Sequence, residues 1–137
     1  LEHVRIIQGV EYVNDSKATN VDSVFYALSS FEQPIVWIAG GVDKGNDYSQ
    51  IEELVRQKVK SLIILTPHYE KLQQYFKNIV EDIYVTEDIQ DALNVAKSKA
   101  VAGDIVLLSP ACASFDLFQN YEDRGDKFKD AVFQLQS

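Results

Sequence analysis

The apolar positions change period several times along the chain, and each change marks a new element. Val4-Arg5-Ile6-Ile7-Gln8 and Glu11-Tyr12-Val13, parted by Gly9, predict a small hairpin or two closely spaced strands. From Asn20 the spacing turns helical. Val21, Val24, Phe25, Leu28 and Phe31 share one face, Asn20 is placed to cap it, and Pro34 ends it. Ile35-Val36-Trp37-Ile38-Ala39 is an unbroken apolar run stopped by Gly40-Gly41, the pattern of a central strand covered on both faces. Ser49 and Glu52 stand at capping-box spacing ahead of Ile51, Leu54, Val55 and Val59, which predicts a second helix beginning near Ser49.

The alternation then repeats. Ser61-Leu62-Ile63-Ile64-Leu65 reads as a strand, Thr66-Pro67 opens a helical pattern at Tyr69, Leu72, Tyr75 and Phe76, and Asp82-Ile83-Tyr84-Val85 reads as a short strand. Ile89, Ala92, Leu93, Ala96 and Ala100 predict a fourth helix ending at Gly103, before the strand Asp104-Ile105-Val106-Leu107-Leu108. In the tail, Leu117, Phe118 and Tyr121, then Phe128, Ala131, Val132 and Leu135, predict one interrupted helix or two helices around Gly125. Strands alternating with helices specify an α/β domain, doubly wound and Rossmann-like, with a mostly parallel sheet and helices on both faces. Ligands of such sheets sit outside the carboxyl ends of the strands, so the loops beginning at Asn14, Gly40 and Ser109 are the candidate sites.

Composition narrows the reading. With 137 residues, 46% of them hydrophobic, the chain suits one domain with one substantial core. No stretch has the roughly 18 apolar residues of a membrane span, and Leu1-Glu2-His3-Val4-Arg5 does not open a signal peptide, so a cytoplasmic protein without membrane partners is expected. The net charge of −8 argues against nucleic-acid binding, which needs a basic face. An anion would have to be held by a few positioned lysines and backbone amides. Cys112, the single cysteine, has no internal partner and no metal-ligand neighbourhood, which makes it a small, partly buried apolar residue.

Each loop has chemistry and an ordinary alternative. Asn14-Asp15-Ser16-Lys17-Ala18-Thr19-Asn20 sets an acid, a lysine and two hydroxyls before a helix start, where an aspartate can accept from a ribose and a lysine can neutralise a phosphate or carboxylate; the same residues also dominate turns. Gly40-Gly41-Val42-Asp43-Lys44-Gly45 lets backbone approach a ligand with one ammonium at its tip, yet it is neither GxGxxG nor GxxxxGK[ST], and an exposed solubilising lysine would look the same. Ser109-Pro110-Ala111-Cys112-Ala113-Ser114-Phe115-Asp116 leads into a helical pattern through small residues, with Ser114 either an anion donor or simply an N-cap. Trp37 reads as core. Glu122, Asp123, Arg124 and Asp126 alternate in sign and read as a solvated, salt-bridged segment rather than a functional arginine.

Taken together and in this order, the three loops resemble the C-terminal domain of the Mur ligases, closest to the branch that adds D-glutamate, and the likeness runs over essentially the whole chain. The family couples an amino acid to a UDP-linked precursor with ATP, through an acyl phosphate that the amine attacks. The resemblance therefore implies D-glutamate, ATP with Mg2+ and UDP-N-acetylmuramoyl-L-alanine as partners, and peptidoglycan synthesis as the setting. It further implies N-terminal and central domains that hold the precursor, the ATP phosphates and the metal, with this domain bringing the amino acid and closing the site. Carried over by motif, Asn14, Asp15 and Lys17 face the nucleotide, with Asp15 on the ribose and Lys17 on the phosphate region. Thr19, Lys44 and Ser114 bind the D-glutamate carboxylates, alongside Phe115, where a leucine is common, and Tyr121, where a phenylalanine offers its main-chain amide. Val42 and Asp43 depart from the family's commoner acidic-residue-then-glycine arrangement before the lysine.

A histidine-arginine pair of the family would fall just before Leu1, so the chain is expected to be one domain of a longer enzyme, inactive alone. Two other readings remain at this point: a ligase domain for another amino acid, as in folate polyglutamylation, and a stand-alone nucleotide- or metabolite-binding module. The absence of GxGxxG after any strand argues against a nicotinamide enzyme.

Overall fold

The computed structural model describes residues 1–136. Strands β1 (Glu2–Ile7) and β2 (Val10–Asn14) form the predicted antiparallel hairpin, turning at Gln8 and Gly9, both with positive φ. After them come α1 (Val21–Ser29), β3 (Ile35–Ala39), a single 3-10 turn (Tyr48–Ile51) leading into α2 (Glu52–Lys58), β4 (Val59–Leu65), α3 (Glu70–Phe76), β5 (Asp82–Thr86), α4 (Ile89–Lys99), β6 (Ile105–Leu108) and α5 (Tyr121–Gln134). The strands lie in the order β1-β2-β6-β3-β4-β5, and every pairing except that of the hairpin is parallel.

Side-chain alternation along the strands divides the core between the two faces. Val13, Trp37, Leu62, Ile64 and Leu107 pack under α1, α2 and α3, while Tyr12, Val36, Ile38, Ile63 and Val106 pack under α4 and α5. Both faces of β3 and β6 are thus apolar because both are covered. The doubly wound α/β fold expected from the alternation is the fold observed.

Local expectations fail where a nearer side chain competes. Asp47, not Ser49, caps the second helical segment: its carboxylate accepts from the Ser49 amide, so the chain enters through a 3-10 turn and α2 starts at Glu52. The helix expected to open at Thr66-Pro67 starts at Glu70, because the Thr66 hydroxyl takes the His68 amide and holds those residues in a turn. Gly103 does not cap α4, which ends at Lys99; its positive φ serves the turn into β6, where its amide donates to the Gly9 carbonyl. Leu117 and Phe118 lie in a turn, and from Tyr121 the tail forms one uninterrupted helix through Gly125, whose missing Cβ makes room for Asn14, 2.9 Å from where that carbon would lie.

Candidate functional site

Because β2, β6 and β3 are parallel neighbours, the loops after them emerge side by side at one edge of the sheet. After β3 the chain turns to the face covered by α2, and after β6 to the face covered by α5. Connections that part in this way open a crevice at the strand ends.

The loop after β6 is the middle one and is stitched to both neighbours. Towards the first loop, the Asp15 amide donates to the Leu108 carbonyl at 2.8 Å, the Ala111 amide to the Ala18 carbonyl at 2.9 Å, and the Ser109 hydroxyl to the Asp15 carboxylate at 3.1 Å. Towards the second, the Gly40 amide donates to the Pro110 carbonyl at 3.0 Å, and Val42 and Ala113 exchange amide bonds in an isolated bridge. That bridge requires Gly41: a Cβ there would lie 2.1 Å from the Ala113 carbonyl oxygen, with φ at 145°. Beyond β4, buried Thr66 donates to Asp116 at 2.5 Å. Trp37, a core residue as expected, donates its indole N–H to the Ser109 carbonyl at 2.7 Å.

The expected site residues fall into distinct environments. Lys17, Thr19 and Lys44 are exposed, and among the described residues no side-chain hydrogen bond or ion pair occupies the two ammonium groups. Asp15 is nearly buried, and that burial raises its carboxyl pKa against the pull of Ser109 and Lys17. With Lys17 it lines a cavity of about 300 Å³ that Ser23 and Tyr26 of α1 also border. Asn14 is committed to the fold, donating to Glu2 and accepting from the Ser16 amide, while Asn20 caps α1 through the Ser23 amide. Ser114 is buried but caps no helix, since α5 begins later and Asn120 caps it; the Ser114 carbonyl instead takes the Phe118 amide in a turn. Phe115 and Tyr121 are exposed, and Tyr121 opens α5, where main-chain amides lack helical partners.

Arg124 corrects the sequence reading most. It is 2% exposed, not solvated, and its guanidinium donates to the Ser16 hydroxyl at 2.9 Å, the Ser16 carbonyl at 2.7 Å and the Cys112 carbonyl at 3.0 Å. One fork thereby ties α5 to both the first and the third loop. Loss of hydration lowers its pKa to about 10, so it stays charged at neutral pH. The signal was present: Arg124 lies four residues before Phe128 and continues the inward face of Phe128, Ala131, Val132 and Leu135. Cys112, buried beside it, has its thiol pushed up to about 11 by desolvation, which leaves no thiolate for nucleophilic chemistry.

A family described as Mur ligase, glutamate ligase domain, matches residues 1–112. The chain belongs to this family. The match covers the first two loops and reaches into the third, stopping short of Ser114 and α5. Curated relatives named UDP-N-acetylmuramoylalanine–D-glutamate ligase are 55% identical in Cytophaga hutchinsonii, 54% in Christiangramia forsetii and 52% in Porphyromonas gingivalis, each over 98% of this chain. This Mur ligase domain spans about 30% of the length of each. A solved domain of a Haemophilus ducreyi protein, described as a UDP-N-acetylmuramate:L-alanyl-γ-D-glutamyl-meso-diaminopimelate ligase, shares the fold at a TM-score of 0.59 and 13% identity, covering 96% of this chain and 98% of that one.

Proposed function

We propose that this Mur ligase domain is the C-terminal, amino-acid-binding part of an ATP-dependent ligase that adds D-glutamate to UDP-N-acetylmuramoyl-L-alanine. The observation that carries the reading is the pair of ammonium groups, Lys17 and Lys44, uncommitted among the described residues, on the two loops that flank the loop after β6 at one sheet edge, with Thr19 and Ser114 on the same edge. A dicarboxylate needs two separate anion sites, and charge-assisted hydrogen bonds are the strong kind. Lys44 and Thr19 take one carboxylate; Ser114, with the amides near Phe115 and Tyr121, takes the other. Held at both ends, the amino acid presents its amine to the precursor in a fixed direction. The names and lengths of the curated relatives support the same assignment.

Asp15 and Lys17 border the nucleotide's ribose and phosphate region, with Asn14 shaping their loop through its bonds to Glu2 and Ser16. These groups fit the edge of a nucleotide rather than a metal, since no three histidine, cysteine or acidic side chains converge among the described residues. ATP, with Mg2+ and held mainly by N-terminal and central domains, would supply the phosphoryl group that activates the precursor's carboxylate. On this reading the protein works in the cytoplasm, in peptidoglycan synthesis and so in cell shape and division; no described helix is long and apolar enough to cross a membrane.

The test is ATP-dependent phosphate release by the full-length gene product containing this sequence, given UDP-N-acetylmuramoyl-L-alanine and one amino acid at a time. Release should require D-glutamate, and Lys44→Ala should raise the KM for D-glutamate about tenfold or more, the loss expected for one charged hydrogen bond. Release with a different amino acid alone would assign the domain to a sister ligase. Nucleotide binding without release would favour a binding module.

A further inference from the structure

The loop that carries Lys44 is held by a group of side chains that the amino-acid-binding role leaves unexplained. The carboxylate of Asp43, next to Lys44, accepts four hydrogen bonds: from the Asn46 amide at 2.8 Å, the Gly45 amide at 2.9 Å, the Tyr48 hydroxyl at 2.7 Å and the Lys71 ammonium at 3.2 Å. Burial disfavours its charged form, yet these donors outweigh burial and bring its pKa below the ordinary aspartate value. Tyr48 is 1% exposed and wedged among Tyr75, Phe76 and Cys112, so its hydroxyl is a fixed point. Asn46 extends the group to the third loop by donating to the Ala111 carbonyl at 2.8 Å. Lys71 reaches over from α3, donating also to the Asn46 carbonyl at 2.8 Å with its ammonium 5.4 Å from the Tyr48 ring.

Two lysines therefore meet this loop in opposite roles. Lys71 pairs with Asp43, while Lys44 is exposed and, among the described residues, has no ion pair of its own. A flexible lysine beside an aspartate would ordinarily be drawn to it, losing the charge it offers a ligand. Here the carboxylate is held by four other donors, one of them the Lys71 ammonium, so its pull on Lys44 is weakened.

We propose that Asp43 is a positioning residue for D-glutamate: with Tyr48, Asn46 and Lys71 it folds the loop into the one shape that presents Lys44 to the substrate carboxylate and keeps that lysine unpaired. The inference rests on the reading of Lys44 given above. It explains how an aspartate is accommodated directly before the lysine, a place where negative charge would otherwise oppose an anionic substrate.

A double-mutant cycle on the full-length protein tests it, with KM measured separately for D-glutamate, ATP and the UDP precursor in Asp43→Asn, Lys44→Ala and the double variant. Asp43→Asn should raise the KM for D-glutamate about tenfold while leaving the KM for ATP and precursor in place, and the double variant should match Lys44→Ala, because removing Lys44 leaves nothing to position. Additive effects, or a fall in kcat with all KM values unchanged, would overturn the positioning role while leaving Lys44 as the substrate's partner. An unchanged D-glutamate KM in Lys44→Ala would overturn that partner role and the inference with it. If Asp43→Asn melts below the assay temperature, Tyr48→Phe, which deletes one donor to Asp43, is judged by the same criteria.

Discussion

At the scale of single residues, the site spends stability in a traceable way. Asp15 is a carboxylate placed where burial disfavours its charge, with one hydroxyl donor, Ser109, in partial compensation. Its folded pKa lies above 3.8, so the folded chain keeps this proton longer than the unfolded chain does. Stability from this group therefore falls as pH rises from 3.8 through the folded value. Asp15→Asn, isosteric and neutral, should be more stable than the parent at pH 7 in urea unfolding, with the advantage shrinking as pH is lowered into the ordinary aspartate range. A parent that equals or exceeds the variant at pH 7 would show that Asp15 is not strained. Asp43 has the opposite sign: its pKa is depressed, so its contribution is present above 3.8 and lost as pH falls below it.

At the scale of elements, strands were the most legible part of the sequence and helix boundaries the least. Ile35–Ala39 and Ile105–Leu108 lie beneath helices on both faces, and an unbroken apolar run records that directly. Boundaries depend on which of several capable side chains reaches the open amides first, and at the second helical segment Asp47 does so ahead of Ser49. The three loops were legible as sites because glycine, lysine and hydroxyl residues sat at strand ends, but which of their side chains would be consumed by the fold was not. Asn14 and Asn20 bond locally, whereas Lys17 and Lys44 stay open.

The alternating charges of Glu122, Asp123, Arg124 and Asp126 mask the helical period that turns Arg124 inward with Phe128 and Val132. The guanidinium fork joins α5 to two loops, so Arg124→Ala should lower the unfolding free energy by about 2–4 kcal/mol, leaving buried carbonyl acceptors unpaired. Urea denaturation measures this. A loss under about 0.5 kcal/mol, the range of an ordinary surface substitution, would mean the guanidinium does not fasten the loops.

At the scale of the molecule, the two apolar clusters lie back to back on one sheet, and each central strand contributes alternate residues to both. Disruption of β3 or β6 therefore exposes both clusters at once. Urea unfolding followed by far-ultraviolet circular dichroism and by tryptophan emission should give coincident transitions. A split, with emission changing first, would show that the face under α1 to α3 opens independently of α4 and α5.

The indole behind that emission is the only one in the chain. It sits edge-on to Phe76 at 5.5 Å, closed off from water, with its N–H fixed on the carbonyl of Ser109, whose hydroxyl in turn holds Asp15. The molecule thus carries its own optical gauge: a ligand that shifts the loop should alter the field at a single buried fluorophore, so that occupancy of the crevice could be read as light without any attached label.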